Sequence, residues 1–121
     1  MNKKNYFIVD MLGCRVYAIF DKDWRKIAAK HAKTKLDENY DPSDCNATAM
    51  HLVTDKEAAY YMFFPTNPAK STIYHECCHV LIWMLSDFGW EIDRVSHEPV
   101  AFLMAYIIDE TFKLKQLQRK K

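Results

Sequence analysis

One stretch, "STIYHECCHVLIWML" from Ser71 to Leu85, constrains this chain more than any other. It has no proline or glycine and is apolar on nearly every side, with Ile73, Val80, Leu81, Ile82, Trp83, Met84 and Leu85 spread around a helical wheel. A helix of that kind is expected to be the central, buried element of a fold. Yet it carries two histidines and a glutamate, His75, Glu76 and His79, in the pattern H-E-x-x-H. Buried or half-buried charge of that sort calls for a chemical reason.

The wheel supplies one. Residues four apart share a helix face, so His75 and His79 can aim two imidazoles at one ion. At about 100° per residue, Glu76 lies about 80° to one side of their common direction. From there it does not ligate; it stands beside an ion and can take a proton from water. Cys77 points nearly opposite, and Cys78 lies about 80° off on the other flank. Both cysteines are expected in the core, as free cysteine usually is.

A catalytic zinc usually has three protein ligands and one open position. Downstream acids and imidazoles are Glu91, Asp93, His97 and Glu98. Glu98 follows His79 with eighteen residues between them, at the head of a second predicted helix, with Ser96 as its N-cap and Pro99 in its first turn. His97 is the rival ligand.

H-E-x-x-H followed by eighteen residues and a glutamate resembles the gluzincin branch of zinc metallopeptidases, and "HEPVAF" resembles the stretch around the third ligand there. In layout the chain is similar to small zincin-like proteins encoded by bacteriophages. The resemblance covers residues 72–106. It implies one Zn²⁺ per chain on His75, His79 and Glu98, Glu76 as general base, and hydrolysis of peptide bonds. His97, Tyr106 and Tyr74 are then candidate donors to the transition-state oxyanion. It also implies that a strand before the motif helix, here "AAYYMFFP", pairs with extended substrate; an ordinary core strand is the competing expectation. Phe102 stands where gluzincins often carry an acidic residue that orients a ligand imidazole. Asp87, Asp93 and Asp109 are the available substitutes. A non-catalytic, zinc-stabilised module that binds a protein, such as a phage factor acting on a host protein, is the alternative reading.

The rest of the chain predicts an α+β, minimal zincin-like domain: a small β-sheet packed on the motif helix, with a C-terminal helix carrying the third ligand. Its 121 residues suit one domain, with residues 5–66 a β-rich half and residues 68–118 a helical, metal-site half. Residues 5–9 and 15–20 read as a hairpin around Gly13. "DKDWRKIAAKHAKTKL" reads as an amphipathic helix capped by Asp21, with Trp24, Ile27, Ala28 and His31 on one face. "ATAMHLVT" and the "AAYYMFFP" segment read as strands. The motif helix is expected over 68–86 and the last helix over 97–118. D-x-N-x-D from Asp37 has Pro42 and Thr48 where a calcium loop needs glycine and glutamate, which excludes that site.

Seventeen basic and sixteen acidic residues leave a net charge of +1, so no global field draws the chain to nucleic acid or a membrane. The basic end, from Lys113 to Lys121, suits a helix C-terminus. The longest apolar run, Val80 to Leu85, is too short to span a bilayer. Four cysteines without a C-x-x-C pair read as free thiols in a reducing compartment. The expectation is a cytoplasmic protein (of the host cell if phage-encoded) acting on a peptide or protein, without membrane or nucleic-acid partners.

Overall fold

The computed structural model describes residues 4–10, 12–36, 39–54, 56–89 and 97–119. Within them the chain forms a small α+β domain: a four-stranded mixed sheet and three helices. The hairpin is β1 (Tyr6–Val9) and β2 (Cys14–Phe20), in register from Tyr6↔Tyr17 to Val9↔Cys14. Gly13 takes φ 65° in the turn, where a side chain would strain the backbone, and its N–H bonds Val9 O at 2.8 Å. Helix α1 (Trp24–Leu36) follows. Asp21 shapes the turn before it, its Oδ1 accepting from the Asp23 N–H at 2.8 Å and its carbonyl from Trp24 N at 3.1 Å, while Asp23, two residues past the expected cap, holds the cap position with its carbonyl accepting from Ile27 N at 3.1 Å. β3 (Thr48–Val53) and β4 (Ala58–Phe64) form a second antiparallel pair.

The two pairs join through β2 and β4, which run parallel from Arg15↔Ala59 to Phe20↔Phe64, giving the order β1-β2-β4-β3. A parallel join needs a long crossover, and α1 with β3 provides it. Helix α1 covers one face of the sheet, seating Trp24, Ala28 and Ala32 against Phe63 and Met50. Helices α2 (Lys70–Asp87) and α3 (His97–Arg119) lie side by side on the other, over Val16, Ala18, Tyr60, Met62 and Phe64. Coverage on both faces explains why β4 is apolar at every position instead of alternating. It also settles its place: β4 is an inner strand, so "AAYYMFF" is a core strand, and the edge beside α2 is β3.

α3 runs antiparallel to α2. Tyr106 donates to Ile8 O at 2.9 Å near one end of the sheet, and Gln118 reaches the other end. There its amide donates to Ala18 O at 2.8 Å and Lys4 O at 3.2 Å and accepts from Phe20 N at 2.9 Å. No helix of the described residues is long and apolar enough to cross a membrane.

The all-round apolar character of α2 does not make it central. Ile73, Cys77, Val80, Leu81, Met84 and Leu85 are buried, but Ile82 is 57% exposed. The helix lies on a sheet with one neighbouring helix, which leaves one side open. Cys78 falls on that side and is exposed, correcting the expectation that it packs in the core; Cys77 is buried as expected.

Candidate metal centre

His75 and His79 project from the open side of α2, and their Nε2 atoms converge to 3.2 Å. The rings meet nearly edge to face, with centroids 4.8 Å apart. Two nitrogens on a tetrahedral zinc, each at about 2.0–2.1 Å, stand about 3.3 Å from one another. The pair therefore has the separation that two positions of such a centre require. Both residues are exposed, the His75 side chain to 68%.

Trp83 fixes the other ring. One turn beyond His79, its indole stacks on that imidazole at 5.9 Å and on His51 of β3 at 4.3 Å, almost parallel to the latter. His51 in turn has Nδ1 3.6 Å from Asp87 Oδ2, which accepts a hydrogen bond from the Tyr60 hydroxyl at 2.7 Å. Asp87 thus accepts from Tyr60 and lies close to His51, whose Nδ1 makes no hydrogen bond among the described residues.

Glu76 occupies the flank the wheel assigns it. It is only 6% exposed and lies 3.9 Å from His75 Nε2. Burial pushes its carboxyl above the usual range, and the two imidazoles pull it part of the way back. A carboxylate so placed is more basic than an ordinary one, as a proton acceptor should be. It opens into a pocket of about 440 Å³ between α2 and the loop before β3, lined by small or polar side chains: Cys45, Asn46, Ala47, Ser71 and Thr72 beside His75. Tyr40 belongs to this neighbourhood. Its hydroxyl shares a hydrogen with Thr48 Oγ1 at 2.6 Å and sits 3.7 Å from Cys45 Sγ. Its pKa is raised by burial first, with Cys45 and the Glu76 charge adding to it. Sequence reasoning did not single out Tyr40. It lies in a polar loop far from the motif, and only the tertiary fold links the two.

The other expected residues that the structure describes lie elsewhere. Among the described residues, no group of three His, Cys, Asp or Glu side chains is gathered as a metal site. Glu98 is exposed in the first turn of α3. Helix α3 packs on the Tyr74 and Cys77 side of α2: the Tyr74 and Phe112 rings are 6.0 Å apart, and Cys77 Sγ lies 3.6 Å from Thr111 Oγ1. That side is about 120–180° around α2 from the histidine direction. From the Cys77–Thr111 contact, at about 1.5 Å per residue, the Glu98 backbone sits roughly 16 Å further along the helix axis than His79. Phe102, one turn beyond Glu98, is 74% exposed. Tyr106 faces β1 and Tyr74 faces α3, so neither phenol turns to the histidines. The His97 side chain, Glu91, Asp93 and Ser96 lie outside the described residues. No family model, curated protein or solved structure matches the chain.

Proposed function

We propose that the protein is a zinc-dependent metallopeptidase of zincin-like, gluzincin type. His75 and His79 would hold the metal, Glu98 would complete the ligand set, and Glu76 would be the general base. The observation that carries this reading is the 3.2 Å approach of the two Nε2 atoms beside a buried glutamate of raised basicity. Two imidazoles and a carboxylate are a donor set that suits zinc. When bound, zinc supplies acidity to water and polarises a carbonyl.

The residues do the rest. Glu76 would accept the proton of the attacking water and return it to the leaving amine. Trp83 would hold the His79 ring at a fixed angle. The small side chains at Cys45, Ala47 and Ser71 would leave room for a substrate residue beside Glu76. Tyr40 is the phenol whose surroundings already include the Glu76 charge. Glu98 enters on its spacing from His79, and its role requires the first turn of α3 to approach the histidines when metal binds.

That requirement favours a second reading, in which zinc serves structure and the protein is a non-catalytic binding module acting on another protein. Elemental mass spectrometry of wild type, His79→Ala and Glu98→Ala separates the cases. About one zinc per chain, lost in both variants, is the outcome for the full ligand set. Zinc retained by Glu98→Ala removes Glu98 from it. No zinc in wild type, even after supply of the metal, ends both readings.

A further inference from the structure

A second opening lies on the other side of α2 from the histidines. It is a cleft of about 950 Å³ between the start of α2 and the C-terminal half of α3. Its floor is apolar: Tyr74 packs edge to face on Phe112, and Leu117, 46% exposed, extends the surface. Its rim is basic, with Lys70 from α2 and Lys113, Lys115 and Arg119 from α3. Asp109 is the one carboxylate in the lining. Lys113 is engaged by Glu110 at 2.7 Å, while no carboxylate among the described residues pairs with Lys70, Lys115 or Arg119. Three of the four cations around this apolar floor, Lys70, Lys115 and Arg119, therefore keep their charge open to a partner.

The cleft is also built to keep its shape. Gln118, on the sheet side of the same α3 turn, is tied to Lys4, Ala18 and Phe20 by three hydrogen bonds. Leu114, one turn earlier, is buried in the core. The wall carrying Lys115, Leu117 and Arg119 is therefore held before any partner arrives, which lowers the cost of binding.

We infer that this cleft is a docking site for an acidic peptide segment of another protein, anchored by one or two apolar side chains. Charge complementarity selects the class of partner. Apolar anchors in a pocket ringed by charged groups are the usual layout of such a contact. The alternative polyanion, nucleic acid, fits less well: a phosphate backbone is tracked by an extended basic stripe, whereas these cations close around a pocket that also holds Asp109. The inference does not depend on metal binding at the histidine pair.

The test uses the full chain, treated with chelator, and a fluorescein-labelled synthetic peptide of alternating glutamate with leucine and phenylalanine. Anisotropy is read against three comparators: the same peptide with lysine for glutamate, one with serine for the apolar residues, and a single-stranded oligonucleotide. Saturable binding of the acidic apolar peptide alone is expected. Lys115→Glu with Arg119→Glu should weaken it by at least about tenfold, and Tyr74→Ala should weaken it at unchanged salt dependence. Lys26→Glu with Lys30→Glu, on α1 across the sheet, should leave it unchanged, and circular dichroism confirms that each variant is folded. No saturable binding, equal loss in the α1 variant, equal binding of the serine peptide or tighter binding of the oligonucleotide would each overturn the inference.

Discussion

The Tyr60 hydroxyl donates to Asp87 Oδ2 at 2.7 Å, which ties the middle of the sheet to the last turn of α2. Tyr60 is fully buried, and its pKa is raised by burial first and by Asp87 next. A phenol that stays protonated in this way is a permanent donor. Replacing Asp87 with alanine leaves that donor without its acceptor, and such a loss costs about 1–3 kcal/mol. Denaturant unfolding should report it, and Tyr60→Phe, which removes the donor itself, should cost less.

The same aspartate leads, through His51 and Trp83, to the candidate centre. Trp83 stacks on His79, so in the proposed centre it would set the angle of that imidazole. Trp83→Leu should keep the fold and weaken zinc binding by about tenfold or more, as loss of ligand-orienting partners does elsewhere. Competition titration with a chromophoric chelator measures the effect. Unchanged affinity would show that His79 needs no such support.

Glu76→Gln separates binding from chemistry. The amide keeps the shape of the side chain and loses its proton affinity. Zinc content should hold at the wild-type level, while turnover of a peptide pool should fall by about 10²–10⁴-fold. Undiminished turnover would remove Glu76 as the base.

His31 offers a prediction away from the site. Its ring packs on Tyr61 at 4.1 Å and on Phe63 at 5.6 Å, and its Nε2 is buried with no hydrogen-bond partner. Burial, with Lys35 adding to it, holds the imidazole pKa below the ordinary value. The folded state therefore prefers the neutral ring. The stability tied to this preference is present above the ordinary imidazole pKa and is lost as pH falls through it toward the depressed value. His31→Phe should abolish that part of the acid sensitivity, so melting temperatures at neutral pH and at about pH 5 should differ less for the variant than for wild type.

Thiol chemistry gives a direct check on how α2 sits. Cys77 is buried, with its Sγ 3.9 Å from Met62 Sδ and 3.6 Å from Thr111 Oγ1, and burial pushes its pKa up to about 11. Cys14 is likewise buried and raised to about 11. Cys78 is exposed. Brief alkylation of the native protein should label Cys78 first and leave Cys77 and Cys14 untouched until denaturant is added. Peptide mapping by mass spectrometry reads the order.

Much of this was legible in the residues. Gly13 between two β-rich runs announces the hairpin, Asp21 before Trp24 announces α1, and the four-residue spacing of His75 and His79 places both imidazoles on one side of α2. What local pattern does not encode is which elements meet. Nothing near "AAYYMFF" says that β4 inserts between β2 and β3, because burial on both faces erases the alternation that would mark an edge. Nothing near Cys78 says that α2 has a single helical neighbour, so an apolar wheel looked buried all round. Tyr40 and the basic cleft are invisible for the same reason: each is assembled from segments far apart in the chain.

The parallel pairing of β2 with β4 has a consequence in time. The centre of the sheet joins residues 15–20 to residues 59–64, and the clasp at Gln118 joins the last helix to residues 4, 18 and 20. Contacts of such long sequence separation must wait for the intervening chain. On the ribosome the hairpin and α1 can form early, but β2 keeps one edge unpaired until β4 has emerged, and the clasp closes only after residue 118 has cleared the exit tunnel. The nascent chain therefore carries an open strand edge until β4 has emerged, and the fold is complete only once α3 is free to close the clasp.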